Sequence, residues 1–167
     1  MFRYCWYWHK NMPVGFLNAN RRPMSNVEEI AIFTSGQGLY QPQFIEGKAH
    51  IRGHKGNYHS SNYGNFEREK GLEHTEYYPT QVLNIPVEVD RNGHPTQKPV
   101  ALEEYLIKTY CREGYTVMDN CMGSGTTGVA AMNCECNFIG FELSSEYYNT
   151  AVNRMKNSLF CPLYAFR

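Results

Sequence analysis

The sequence predicts an α/β fold of the doubly wound, Rossmann-like kind, and three features of residues 115–142 predict it. A short apolar run, Tyr115-Thr116-Val117-Met118, leads through Asp119 into the turn Gly123-Ser124-Gly125, after which Thr126–Met132 reads as a helix. A second apolar run, Phe138-Ile139-Gly140-Phe141, ends in Glu142. Glu142 lies 19 positions beyond Gly123, close to the offset of about 20 at which a carboxylate meets a ribose in such folds. Strand, tight turn and helix N-terminus together form the device by which these domains hold nucleotide-like ligands. An adenosine-containing cofactor is therefore expected.

The remaining elements follow in chain order. Phe2, Tyr4, Trp6 and Trp8 alternate with smaller or polar residues, which is strand periodicity and reads as a buried strand ahead of a base-stacking platform. Lys10–Arg22 is punctuated by Gly, Asn and Pro and reads as a loop ending in a basic pair. Glu28–Phe33 reads as a second strand. From Thr34 to Tyr78 periodicity is lost, and Gly, Asn, Ser, His and Tyr dominate. An irregular insertion over 34–80 is expected, either solvated or, with Lys48, Arg52, Lys55 and Arg68 among Tyr58, Tyr63 and Phe66, a nucleic-acid contact region. Gln81–Val89 reads as a short extended segment. After Pro99, Val100, Leu102, Tyr105, Leu106 and Ile107 have helical spacing. Ser144-Ser145-Glu146 starts a last helix, which runs towards Leu159.

At 167 residues, 42% hydrophobic and 19% charged, the chain has the proportions of one globular domain, 1–167. No apolar stretch approaches the roughly 20 residues of a membrane span, and no secretory leader is expected. Six cysteines without C-x-x-C spacing indicate neither a zinc site nor a disulfide framework, so no metal is expected and a reducing cytoplasm is the expected location. The net charge is zero, but residues 1–70 carry nine Lys+Arg against five acids, and residues 71–167 carry seven against eleven. A polyanion would meet the first part, with the second holding a small ligand. Chance surface polarity is the plainer alternative.

The spelling of the turn narrows the ligand. Gly123, Gly125 and Gly128 satisfy the G-x-G-x-x-G spacing of a dinucleotide fingerprint. Asp119 at the strand end would repel a pyrophosphate yet accept from an ammonium or hydroxyl group. Upstream stands His94-Pro95-Thr96-Gln97-Lys98-Pro99. The hexapeptide followed by a helix and then Asp119-Asn120-Cys121-Met122-Gly123-Ser124-Gly125-Thr126-Thr127 resembles the cofactor region of S-adenosylmethionine-dependent amino-group DNA methyltransferases. The resemblance is to the permuted class, whose catalytic half precedes its cofactor half. Cys121 stands where that family usually has phenylalanine. The N-terminal segment FRYCWYWHKNMPVGFLNANRRP is similar to the family's aromatic strand, lysine-asparagine turn and GFLNA segment. Glu28 and Ile30–Phe33 also match, whereas Ser25 and Val27 replace the usual arginine and histidine.

The resemblance implies a Rossmann-like methyltransferase fold, S-adenosylmethionine as cofactor and double-stranded DNA as partner, adenine N6 ahead of cytosine N4, in the cytoplasm of a bacterial or phage-infected cell. It assigns the cofactor part to residues 94–160. Asp119 with the Gly123-Ser124-Gly125 backbone and the helix start at Thr126-Thr127 would hold the methionine end. Glu142 would take the ribose hydroxyls, and His94, Thr96 and Lys98 would close the carboxylate side. Lys10, Asn18, Arg21, Arg22 and Lys55 would face DNA. Two of these have plainer alternatives: Glu142 capping its helix, and Arg21-Arg22 merely solvated.

The family's second signature, (D/N/S)-P-P-(Y/F) or D-L-P-Y, occurs nowhere among the eight prolines, so no catalytic residue can be assigned. The chain is expected to begin after its catalytic strand, leaving the strand that ends at Asp119 with an open edge. A second chain supplying that strand, a non-catalytic cofactor- or DNA-binding subunit, and an inactive fragment are the alternatives to an active enzyme. An NAD-dependent Rossmann protein is a further one.

Overall fold

A computed structural model describes residues 1–51, 56–62, 64–68, 73–88 and 97–158. In chain order they form β1 (Phe2–Val14), a 3-10 turn (Phe16–Asn18), β2 (Ser25–Phe33), β3 (Ile45–Ile51), β4 (Gly56–Ser60), β5 (Gly64–Arg68), β6 (Glu73–Tyr77), β7 (Val82–Asn84), α1 (Val100–Tyr110), β8 (Thr116–Asp119), α2 (Thr126–Asn133), β9 (Asn137–Gly140) and α3 (Ser145–Asn157). Two compact units result, Met1–Gln41 with Thr80–Arg167, and Pro42–Pro79.

In the larger unit β1 lies between antiparallel β2 and parallel β7. Its alternation is core patterning: Trp6 and Trp8 are buried with Leu83 and Leu102, against Ile30, Ile32 and Tyr105. The indole N–H groups are satisfied, Trp6 donating to the Tyr110 hydroxyl at 2.5 Å and Trp8 to the Ile85 carbonyl at 2.7 Å. These rings are walls of a core, not a stacking platform. β1 runs past Trp8 to Val14, where Lys10–Arg22 reads from sequence as a loop. The ladder pairs His9 with Val27 and next Val14 with Ser25, so three extra β1 residues bulge out, and the bulge accommodates Pro13.

α1 joins two cores. Leu102, Tyr105, Leu106 and Tyr110 pack on the aromatic strand, while Val100 and Ile107 pack with Ala130, Ala131 and Cys136. The Glu88 carboxylate accepts from the Val100 N–H at 3.0 Å at the start of the helix, and Gln41 Nε2 donates to the Cys111 carbonyl at 2.9 Å at its end. β8, α2 and β9 make a parallel crossover unit, with Asp119 registered against Gly140. Val117 and Phe138 face the helices, and Met118 and Ile139 on the opposite side are 66% and 48% exposed. Among the described residues β8 pairs with β9 alone.

Residues 42–79 differ from the irregular insertion read from sequence. β3 pairs with β6 and β4 with β5, both antiparallel. The described side chains of β3 are exposed, as are those of β6 apart from the half-buried Tyr77. A ribbon wetted on both faces carries no apolar alternation, which is why its strands leave no period-two signal. Within this unit Phe44 packs on Tyr78 with ring centroids 4.9 Å apart.

Candidate functional site

The site lies at the carboxyl ends of the parallel strands β8 and β9, where open α/β folds place their ligands. The Phe141 N–H bonds the Asp119 carbonyl at 2.9 Å, and the Met122 N–H bonds the Phe141 carbonyl at 2.9 Å, so the two strand ends stay joined beyond the ladder. Asp119 organises the bend between them. Its Oδ1 accepts from the Cys121 N–H at 3.0 Å, and its Oδ2 from the Thr127 hydroxyl at 2.7 Å. Glu142 reaches back from the other strand end. Its Oε2 accepts from the Gly123 N–H at 2.9 Å, and its Oε1 from the Ser144 N–H at 2.9 Å. The bend is thus flanked by two carboxylates, each bonded to backbone N–H.

Two glycines serve the bend for different reasons. Gly125, at φ 80°, precedes α2 in the left-handed region, and a Cβ there would lie 2.7 Å from the Ala151 Cβ. A Cβ on Gly128 would collide with the Met155 Sδ and the Phe138 ring. The third glycine therefore lets α2 sit close to β9 and α3.

Ser124 and Thr126 are 4% and 6% exposed, and their hydroxyls turn inward. Arg154 Nη1, on α3, donates to the Ser124 carbonyl at 2.8 Å, the Ser124 Oγ at 3.0 Å, the Thr126 Oγ1 at 3.2 Å and the Gln97 Oε1 at 3.1 Å. Ser124 in turn donates to Gln97 Oε1 at 2.8 Å. Both hydroxyls are thus engaged with protein groups.

A second polar cluster sits beside Trp8. Glu28 accepts from Lys10 at 2.8 Å and from Lys98 at 2.6 Å, one lysine on each carboxylate oxygen. Both ammonium groups lie over the Trp8 ring, at 5.7 and 5.4 Å from its centre. Burial alone would raise the Glu28 carboxyl, but the hydrogen bonds and charges of the two lysines outweigh it and hold it below the ordinary value. Lys10 is 5% exposed, which corrects its assignment to a DNA-facing surface. Continued strand alternation places Lys10 on the inward face with Trp6 and Trp8. Lys98, expected to meet a cofactor carboxylate, is here the counter-ion of Glu28. Glu103, in the first turn of α1, is raised by burial and by the charge of Asp119, with Lys98 opposing.

Asn18, Arg21 and Arg22 are exposed around the β1–β2 turn. His94, Thr96 and Lys55 lie outside the described residues.

The sequence model of the N6/N4 DNA methylase family matches residues 2–153. The chain belongs to that family. Among curated members, this methylase-family chain is 42% identical over 74 residues to type II methyltransferase M.HindIII of Haemophilus influenzae, covering 42% of the chain and 24% of that protein. It is 42% identical over 63 residues to the DNA adenine methyltransferase YhdJ of Escherichia coli, covering 38% and 21%. Among solved structures, the M1.HpyAVI–SAM complex aligns over 92% of the chain and 62% of its own length, at 29% identity and TM-score 0.60. The cytosine-N4-specific PvuII DNA methyltransferase aligns over 94% and 52%, at 18% identity and TM-score 0.63. The chain thus shares the methyltransferase fold, and the matched stretches of these two curated relatives span about a quarter of their length or less.

Reading the methylase-family sequence alone brings Asp119, Gly123, Gly125, Thr127 and Glu142 to one place, and the structure does bring them together. It misses Arg154, whose position on α3 carries no motif. Gln97 and Glu28 lie inside recognised segments, but nothing in those segments shows that one bonds Ser124 and the other bridges two lysines.

Proposed function

We propose that this chain binds S-adenosylmethionine at the carboxyl ends of β8 and β9 and serves methyl transfer to an exocyclic amine of double-stranded DNA, adenine N6 ahead of cytosine N4. One observation carries the reading: the Asp119–glycine bend–Glu142 arrangement at adjoining parallel strand ends. Two carboxylates suit a ligand that presents an ammonium, a sulfonium and ribose hydroxyls, and they disfavour a pyrophosphate. The cation bonded to the bend, Arg154, directs Nη1 to Ser124, Thr126 and Gln97, which leaves that nitrogen engaged with protein. The family membership points the same way, as does the adenine specificity in the name of YhdJ.

S-adenosylmethionine supplies an electrophilic methyl on sulfur, so the protein needs no nucleophile of its own. In this reading Asp119 and the Gly123–Gly125 backbone hold the amino-acid end, with Thr127 fixing the Asp119 rotamer. Glu142 accepts from the ribose hydroxyls while keeping the bend tied to α3. Lys98, with His94 and Thr96, closes the carboxylate side, which requires Lys98 to exchange Glu28 for the ligand. Asn18, Arg21 and Arg22, with Lys55, face the DNA. In this reading the work is done in the cytoplasm of a bacterial or phage-infected cell, and the bacterial organisms of the relatives support the bacterial part.

The test is calorimetric titration of the cofactor into the parent chain, Asp119→Asn and Glu142→Gln. At least tenfold weaker binding is expected in each, with the melting transition retained. Parent-like affinity in both would remove the assignment.

In a second reading the free edge of β8, which pairs with β9 alone among the described residues, is covered by a strand from another chain. The chain then acts as the cofactor- and DNA-binding part of a methyltransferase whose catalytic strand comes from a second chain. Methyl transfer to unmethylated DNA by this chain alone would refute that reading.

A further inference from the structure

The turn between β1 and β2 presents two adjacent large apolar side chains to solvent. Phe16 is 77% exposed and Leu17 91%. Neither position reflects a slack loop. Gly15, at φ 96°, turns the chain into the 3-10 segment, and the turn closes on itself. The Asn18 N–H bonds the Gly15 carbonyl at 2.9 Å, the Ala19 N–H bonds the Phe16 carbonyl at 3.0 Å, and the N–H groups of Arg21 and Arg22 both bond the Asn18 carbonyl, at 2.9 and 3.0 Å. Four backbone N–H groups are thus bonded within the turn, so the apolar pair is already held outward and loses little freedom on binding.

The charge around the pair is of one sign. No acid occurs between Lys10 and Val27, and Lys10 is turned inward. Arg21 and Arg22 are exposed and have no acidic partner among the described residues. A Cβ on Gly15 would lie 3.9 Å from Arg22 Nη2, which puts that guanidinium beside the residue preceding Phe16. A second copy of this chain would bring two arginine pairs face to face, and an acidic peptide would offer no apolar slot. A stacked duplex offers both a phosphate row for the arginines and apolar base faces for the side chains.

We infer that the β1–β2 turn is a wedge: Phe16 and Leu17 enter between base pairs while Arg21 and Arg22 grip the flanking phosphates, unstacking the duplex near the base to be modified. This rests on the DNA reading given above. A base must leave the stack before its amine can be reached, and the cost of unstacking, a few kcal/mol, is lowered by an apolar group that fills the gap.

The experiment uses the full chain and a duplex carrying 2-aminopurine, whose fluorescence rises on unstacking, with affinity measured at several salt concentrations. The parent is expected to raise the fluorescence. Phe16→Ser/Leu17→Ser should bind roughly fivefold more weakly, the low end of one base-stacking contact, with no fluorescence rise and an unchanged salt slope. Arg21→Gln/Arg22→Gln should lower the salt slope by about two and keep the rise at saturation. All four side chains are exposed, so melting should not change. An apolar double variant with parent affinity and parent fluorescence overturns the wedge and leaves DNA binding standing. A parent chain that binds no duplex overturns both. Loss of self-association in the apolar variant, with DNA binding intact, assigns the patch to a second copy and overturns the wedge.

Discussion

Arg154 on α3 holds Ser124 through both its carbonyl, at 2.8 Å, and its hydroxyl, at 3.0 Å. The same nitrogen bonds Gln97 and Thr126, so one guanidinium ties the segment before α1 to the glycine bend and the start of α2. Arg154→Ala removes these bonds and leaves the Ser124 carbonyl without this partner. Hydrogen bonds to charged groups contribute about 1.5–3 kcal/mol, and a loss of about 2–3 kcal/mol is expected on chemical denaturation. Cofactor affinity should fall with it, because the bend loses its brace. Arg154→Lys should recover only part of the loss, since the lysine ammonium, on a flexible stem one bond shorter than the reach of Nη1, is not pre-organised to meet these acceptors together.

Gly125 is the position where the bend tolerates least. Gly125→Ala imposes left-handed backbone on an L-residue, at roughly 1–2 kcal/mol, and drives a methyl to 2.7 Å from the Ala151 Cβ and 2.9 Å from its Cα. Overpacking of this kind costs about 1–3 kcal/mol more. Ala151→Gly in the same chain removes the first clash but neither the second nor the backbone strain. A double-mutant cycle read by urea denaturation should therefore show partial rescue. Full rescue would mean that the Cβ contact alone makes this glycine necessary.

The crossover unit was legible because local rules and the global fold agree there. The helix start at Ser144, whose Oγ accepts from the Tyr147 N–H at 3.4 Å, was readable for the same reason. Lys10 reads as part of a loop because the Asn, Pro and Gly that follow it mask the period-two alternation that continues from Trp6 and Trp8. β3 and β6 left no alternation to read because their described side chains, Tyr77 apart, are exposed on both faces. Arg154 was beyond reach, since its role depends on α3 folding back over the bend, a long-range contact with no local pattern.

Glu28 makes an acid-side prediction. Its folded carboxyl lies below the ordinary value, net of burial, because Lys10 and Lys98 bond and charge-stabilise it. A lowered folded value gives stability that is present above the unfolded value of 4.5 and lost as pH falls through the folded one. Glu28→Gln should flatten the fall in melting temperature between pH 5 and pH 3, counted roughly about that value. At pH 7 it should destabilise by about 1–2 kcal/mol, because Lys10 stays buried without its counter-charge. Complete burial of the pair would make this about 3–5 kcal/mol, but Glu28 keeps 39% of its side chain exposed. An unchanged acid limb would show that the two lysines do not hold the carboxyl down.

Glu103 carries the opposite sign. Burial first, and then the negative charge of Asp119, raise its carboxyl, while Lys98 opposes them. A raised folded value means that folding favours the neutral acid. Its contribution is present below the unfolded value of 4.5 and lost as pH climbs through the folded one. At pH 7 the ionised Glu103 is a burden on the native state, so Glu103→Gln should raise the melting temperature there by about 2 °C, a change on the order of 1 kcal/mol or less for a chain this size. At pH 4 the variant and the parent should melt together. The same substitution in an Asp119→Asn background separates the two causes: a smaller gain there assigns the difference to the Asp119 charge, and an undiminished gain leaves burial as the sole cause.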